Sequence, residues 1–304
     1  MNTLVTAKIN PDIDGVACVL AYTHLLRSQG RDVSVGIFGT PQEEVNYFIK
    51  SHKVTVEPMS IDMPIAPGTQ VVIVDGSSLK GMHPGIKAEE VTEIIDHRIV
   101  DYVEGSFPHA HIQIEAVGAA ATLIIERYMH AGLQIPHELG SLLFGAIVHN
   151  TLWLKSTNTT KRDAAALAPV AKTLSQPQKI AQQMFEYASD AMAKDPISLV
   201  RDGKQITLDG QQVSIYQYIV WDISTTEINE LISLAVYANQ QANGSAWSCI
   251  IITSIYHGKT LIFCADRKGQ SILSDKLHVH FEEKYALLPH LALRKQVLEG
   301  LFRT

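Results

Sequence analysis

Two rhythms of apolar and polar positions divide the chain. In the first third, short apolar runs alternate with helical patterns. Residues 3–9 read as a strand and 15–29 as a helix stopping near Gly30. DVSVGIF (32–38) alternates with period two, and PQEEVNYFIKSH (41–52) reads as a short helix opened by Pro41. TQVVIVDGSS is a continuous apolar run ending in Asp75 and a turn, the pattern of a strand buried on both faces of a parallel sheet. VTEIIDHR repeats that shape and ends in Asp96-His97-Arg98. Such alternation predicts an open, mainly parallel α/β sheet with its site in the crevice at the strand carboxyl ends.

From Ala116 the rhythm turns helical, with candidate helices at 118–132, 137–154, 160–174 and 177–189. EYASDAMAKDP (186–196) is small, polar and closed by proline, which predicts a linker. Beyond it come antiparallel strands with turns at Asp202-Gly203 and Asp209-Gly210, then a helix from about Thr225 to Gln241. A strand pair around His257-Gly258 and a final segment carrying Arg294-Lys295 follow. The expected division is 1–186, a linker at 187–196, and a smaller α+β domain at 197–304.

Composition narrows the function classes. At 46% hydrophobic and 18% charged residues over 304 positions, the chain is of ordinary globular type. No apolar run reaches the roughly 20 residues that cross a bilayer, and MNTLVTAKIN lacks the form of a secretory signal. Cys18, Cys249 and Cys264 form no C-x-x-C pair, so a reducing cytoplasm is the expected setting. A formal charge of -6 argues against bulk nucleic-acid binding. No G-x-G-x-x-G follows the first strand and no Walker A lysine motif exists, so dinucleotide and P-loop readings are weak.

INPDIDGVACVLAY (9–22) carries the chemistry. Asp12 and Asp14 stand one residue apart where a strand gives way to a helix. Taken alone, the pair reads as a capped turn, because aspartate is a good N-cap and favours a helix N-terminus. Asp75 and Asp96-His97 then arrive at two further strand ends. Three successive acidic strand ends, one with an imidazole, point to a metal or polyphosphate site, and oxygen ligands with one imidazole suit Mn²⁺ or Mg²⁺.

NPDID, VIVDGSS, IIDHR, GAAATLI and LLFGAIVHNTLWLKSTNTTKRDAAA resemble the successive motifs of the DHH phosphoesterase superfamily. LVRDGKQITL and YALLPHLALRKQVLEGL resemble the segments of a C-terminal DHHA2 domain that carry a lysine and an Arg-Lys pair. Motif order, spacing and length resemble the manganese-dependent (family II) inorganic pyrophosphatases and their exopolyphosphatase and prune-like relatives. The G-G-G-H signature of the DHHA1 branch is absent. The resemblance implies a divalent-metal-dependent hydrolase of phosphoanhydrides or phosphate esters, a small phosphorylated substrate in a cleft between two domains, and a homodimer through sheet edges.

Carried over position by position, the resemblance makes Asp12, Asp14, Asp75 and His97 metal ligands, with Asp75 bridging. Asn150 stands where relatives have an aspartate ligand, and Lys8 where they have a ligating histidine. The second histidine of D-H-H is Arg98, and the serine before the Arg-Lys pair is Leu293. Lys8, Arg98, Lys204, Arg294 and Lys295 become phosphate partners, and Asp12 a candidate general acid. A protonated lysine has no lone pair for a metal, so one good metal site and a second weak or absent one are expected. His149 neighbours Asn150, but adjacent helical residues point about 100° apart, which keeps it out of the ligand set. The alternative is a binding protein in which Lys8 and Arg98 replace metal charge. KSTNTTKRD reads as a loop leading into a capped helix. His109, His111, His278 and His280 read as surface residues, and Trp153 and Trp221 as core or interface aromatics.

Overall fold

The computed structural model describes residues 3–98, 104–195, 203–223, 228–242 and 244–302, with the side chains of 228, 229, 231, 232, 240 and 295 outside that description. The chain forms two compact units, Met1–Leu154 with Asn158–Met184, and Lys155–Thr157 with Phe185–Thr304. The division falls inside a helix, Pro177–Lys194, so residues 187–194 are helical where the sequence pattern suggests a linker. Among the described residues, no helix is long and apolar enough to cross a membrane.

The first unit is built on five strands, β1 (Thr3–Thr6), β2 (Val33–Gly36), β3 (Gln70–Val74), β4 (Val91–Asp96) and β5 (His111–Ile114). All pairings are parallel, in the order β2-β1-β3-β4-β5. Strand order reverses between β1 and β3, which places the ligand crevice of a doubly wound sheet outside their carboxyl ends. Val71, Val72, Ile73 and Val74 are completely buried, as the uninterrupted apolar run predicts. Each such side chain stabilises the fold by roughly 1.5–3 kcal/mol through water exclusion.

Helices α1 (Ile13–Ser28), α2 (Glu43–His52), α3 (Ala120–Ala131), α4 (His137–Thr151), α5 (Lys161–Ala171) and α6 (Pro177–Lys194) complete this unit and lead into the next. Close packing depends on Gly145 of α4: a Cβ there would stand 2.6 Å from both Ile13 and Phe48. The sequence pattern carries α4 to residue 154, but the helix stops at Thr151. Leu152, Trp153 and Leu154 each take a left-handed backbone, with φ of 49°, 59° and 59°. That conformation costs L-residues about 1–2 kcal/mol apiece. Two ties hold it: Trp153 N–H donates to the Val148 carbonyl at 2.9 Å, and Leu154 N–H to Thr151 Oγ1 at 3.0 Å.

The second unit is a six-stranded mixed sheet, ordered β10-β11-β9-β8-β7-β6. Its strands are β6 (Lys204–Leu208), β7 (Gln211–Val220), β8 (Trp247–Ser254), β9 (Lys259–Phe263), β10 (Phe281–Glu282) and β11 (Tyr285–Leu288). The β6/β7 and β8/β9 pairs are antiparallel, as their turns predict. β7 and β8 run parallel, joined through helix α7 (Ile228–Gln241). Helices α8 (Arg267–Leu277) and α9 (Arg294–Phe302) follow. One face buries Val213, Ile215, Trp247 and Ile251, the other Tyr216, Tyr218, Ile250 and Ile252. Trp221 stacks on Phe185, and Trp153 meets Phe144 edge-on in the first unit. His109, His111, His278 and His280 are exposed.

Candidate metal centre

Three side chains converge at the carboxyl ends of the parallel strands. Asp14 comes from the first turn of α1, Asp75 from the residue after β3, and His97 from the residue after β4. Each offers one ligand atom, and the three atoms lie within 4.8 Å of one another. Among the described residues no other such group of histidine, cysteine or carboxylate ligands occurs. Asp75 turns in by adopting φ 52°, a left-handed conformation that aspartate tolerates better than most residues.

Asp14 is completely buried and receives four donors. The Ala120 and Ala121 amides reach its two oxygens at 2.8 Å each, the Asn150 side-chain amide reaches Oδ2 at 2.8 Å, and the Cys18 thiol reaches Oδ1 at 3.4 Å. Asn150 therefore presents N–H, not an oxygen lone pair, to this carboxylate. His97 Nδ1 lies 3.2 Å from the Val117 carbonyl. A carbonyl only accepts, so Nδ1 carries a proton, and Nε2 faces Asp75 at 3.5 Å and Asp14 at 3.9 Å.

The charge balance is uneven. Burial, followed by repulsion from Asp75, pushes the Asp14 carboxyl up to about 7. Burial and Asp75 also raise Asp12. Burial alone would raise Asp75, but the Arg98 guanidinium and the His97 contact hold it below the ordinary carboxylate range. Burial opposes charge on His97, yet its bond to Asp75 and the field of Asp14 outweigh that and raise it to about 9. Arg98 hydrogen-bonds both the Asp75 carboxylate and the Asp75 carbonyl (3.0 Å for the latter), and its Nε sits 3.6 Å from Asp96 Oδ1. Asp96 Oδ2 is buried without a hydrogen-bond partner. The donor set of the trio, two carboxylates and an imidazole with its second nitrogen fixed, fits a hard divalent cation.

The other predicted residues fall into distinct places. Asp12 is the N-cap of α1, with Oδ1 accepting from Gly15 N–H at 3.0 Å, and lies outside the compact trio. The Lys8 chain passes Gly76, where a Cβ would stand 3.6 Å from its Cε. His149 stays out of the trio, with Nδ1 3.4 Å from Asn150 Oδ1. Lys204 opens β6 and is exposed. Arg294 opens α9, its backbone N–H donating to Gln217 Oε1 at 2.6 Å. The Lys295 side chain and the expected turn residue Asp202 lie outside the described residues.

Two contributors carried no clear signal in the sequence. Glu44 is buried, accepts from Ile13 N–H at 3.3 Å, and is raised by burial. Its position among the first residues of α2 reads as ordinary charge at a helix N-terminus. Asp163 forms the expected capping box with Thr160, but it also reaches Gly118 and Thr122.

Comparison with known proteins agrees with this architecture. Residues 2–147 match the DHH family, N-terminal domain. A Streptococcus mutans protein named a probable manganese-dependent inorganic pyrophosphatase is 28% identical over 267 residues, covering 85% of this chain and 84% of its own. A Streptococcus suis protein of the same name is 29% identical, covering 96% and 95%. A crystal structure from Methanococcus jannaschii, named as a candidate family II inorganic pyrophosphatase, superposes with a TM-score of 0.73 at 21% identity, covering 99% and 98%. The parallel sheet, its acidic strand ends and this match together make residues 2–147 a DHH family domain.

Proposed function

We propose that the protein is a divalent-metal-dependent hydrolase of phosphoanhydrides or short phosphate esters, of the pyrophosphatase and exopolyphosphatase type. The observation that carries this reading is the convergence of Asp14, Asp75 and His97 at the switch point of the sheet. The names of the similar streptococcal proteins support manganese, with magnesium as the substitute. One well-formed site fits the chain better than two, because Lys8 offers no lone pair and Asn150 turns its amide N–H toward Asp14.

A divalent ion held by Asp14, Asp75 and His97 would neutralise phosphate charge and lower the pKa of a water molecule. The chain's own residues supply the rest. Arg98 places a cation beside Asp75, and Lys8 adds a second near Gly76. Lys204, Arg294 and Lys295 are further proposed phosphate partners. Asp12, raised by burial and by Asp75, suits a general acid toward a departing phosphate. The substrate is a small phosphorylated molecule. The free, buried cysteines suit a reducing cytoplasm.

One observation favours a second reading. Arg98 already pairs with Asp75, and Asn150 already donates to Asp14, so part of the acidic charge is satisfied internally. A binding protein without chemistry would use the same contacts. Metal content of the purified protein, measured beside phosphate release from pyrophosphate, tripolyphosphate and nucleoside phosphates, separates the two. The hydrolase reading expects bound metal and a release rate that Asp75→Asn lowers at least about 100-fold. Absence of metal, with release equal to that of Asp75→Asn, would establish the binding protein.

A further inference from the structure

Asp163 lies on α5, 45 residues along the chain from Gly118, and is completely buried. Five neutral contacts hold its carboxylate. The Gly118 amide reaches both oxygens at 2.9 Å, the Thr122 hydroxyl reaches Oδ1 at 2.6 Å, and the Thr160 amide and hydroxyl each reach Oδ2 at 2.7 Å. The capping box accounts for the Thr160 amide contact alone, and Thr160 also supplies the hydroxyl. The other contacts run to the segment 117–122, which carries every backbone group that orients Asp14 and His97.

The Gly118 N–H and the Val117 carbonyl belong to one peptide group. In a trans peptide they point in opposite directions. Asp163 sits on the N–H side, and His97 Nδ1 lies 3.2 Å from the oxygen on the other. A carboxylate accepting from an amide N–H draws the peptide dipole toward itself and enriches the carbonyl oxygen, so hydrogen bonds at the two ends reinforce each other. The Asp163 charge thereby strengthens the bond that keeps the proton on Nδ1 and leaves Nε2 as the lone-pair donor. Metal-bound histidines commonly receive this service from a carboxylate bonded directly to the ring. Here a peptide group stands between them.

Asp163 braces Asp14 by the same segment. With Gly118 and Thr122 tied down, the Ala120 and Ala121 amides between them are held against the two Asp14 oxygens. Gly118 permits the close approach, since a Cβ there would stand 2.4 Å from Thr151 Cγ2 and 3.0 Å from Asp163 Oδ2. Asn158 adds a third tie, its amide donating to the Gly118 carbonyl at 3.4 Å and the Asn150 carbonyl at 3.3 Å.

We infer that Asp163 is a positioning residue for the metal centre, acting on His97 through the Val117–Gly118 peptide and on Asp14 through the amides of residues 120 and 121. This rests on the metal-site reading proposed above. The test compares wild type, Asp163→Asn and Thr122→Val in two measurements: Mn²⁺ uptake by loss of the free-ion resonance signal, and imidazole ¹⁵N spectra of metal-free protein. Asp163→Asn is expected to fold, to bind Mn²⁺ roughly 10- to 100-fold more weakly, and to shift the His97 Nδ1 signal. Thr122→Val, which removes one of the five contacts, is expected to change both in the same direction and by less. Wild-type affinity in a folded Asp163→Asn protein overturns the inference. So does weakened binding with an unchanged His97 spectrum, which would make Asp163 merely structural. If Asp163→Asn does not fold, wild-type behaviour of Thr122→Val overturns it. If wild type itself takes up no Mn²⁺, the metal reading fails, and the ¹⁵N comparison still decides whether Asp163 reaches His97.

Discussion

The carboxyl ends of the parallel strands have two unlike sides. On the Asp14–His97 side, two ligand candidates are fixed by neutral partners, backbone amides on Asp14 and a backbone carbonyl on His97, while Asp75 between them pairs with Arg98. On the Lys8–Asp12 side, the carboxylate caps its own helix, and Lys8 has no lone pair to offer a metal. Neutral bracing orients a carboxylate and leaves its charge in place, whereas a neighbouring cation consumes that charge. On the proposed reading, the first side would receive a cation, and the second is partly supplied with one.

Arg98 joins the two sides, so removing it separates them most sharply. Arg98→Ala leaves Asp75 without its guanidinium partner. Breaking a buried ion pair costs about 3–5 kcal/mol. With the Arg98 side chain 30% exposed, solvent screening reduces that to about 1–3 kcal/mol. Thermal melts in chelator should show a loss of several degrees, and added Mn²⁺ should recover most of it by occupying the vacated field. A loss that Mn²⁺ leaves untouched would mean that Arg98 serves packing, and the contrast between the two sides would not hold.

A smaller effect is expected at Lys8. Lys8→His removes a charge and supplies a lone pair near Gly76, the residue after Asp75. Mn²⁺ titration should then rise from about one ion per chain toward two, the second bound more weakly by roughly 10-fold or more because Asp12 remains committed to Gly15. A stoichiometry fixed at one would show that Asp12 cannot leave its capping role.

Much of the first unit is legible from local patterns, because its strands are buried on both faces and read as unbroken apolar runs. Val71 to Val74 are an example. Asp75 stands out for the same reason, as the first polar residue at the end of such a run, and His97 follows Asp96 at the end of the next. Asp163 is legible only as half of its role. Thr160 and Asp163 have capping-box spacing, but the reach to Gly118 spans 45 residues and leaves no periodic trace. The early stop of α4 is equally hidden, since Leu152, Trp153 and Leu154 carry none of the glycine or asparagine that usually marks a left-handed turn. In the second unit the hairpin turns announce antiparallel pairs, whereas the parallel pairing of β7 with β8 depends on a crossover that turn residues do not encode.

The smallest expected effect is on stability against pH, and it tests whether the braced side carries unbalanced charge. His97 is raised from 6.5 to about 9, so its contribution to the metal-free fold is fully present below pH 6.5 and lost as pH climbs through 9. Asp14 is raised from 3.8 to about 7, so its contribution is present below about pH 4 and lost by pH 7. Asp75 is lowered and works the other way, its contribution fully present above the ordinary carboxylate value and lost as pH falls below it. The two aspartates therefore oppose one another in acid, and above pH 7 His97 acts alone among the three. Metal-free protein should lose on the order of a few degrees of melting temperature between pH 7 and 9, and His97→Gln should flatten that slope. Mn²⁺ should flatten it too, because ligation needs His97 and Asp14 without their protons and grows stronger as pH rises. A slope that survives His97→Gln would place the titrating charge elsewhere, and the imbalance assigned to the Asp14–His97 side would have to be withdrawn.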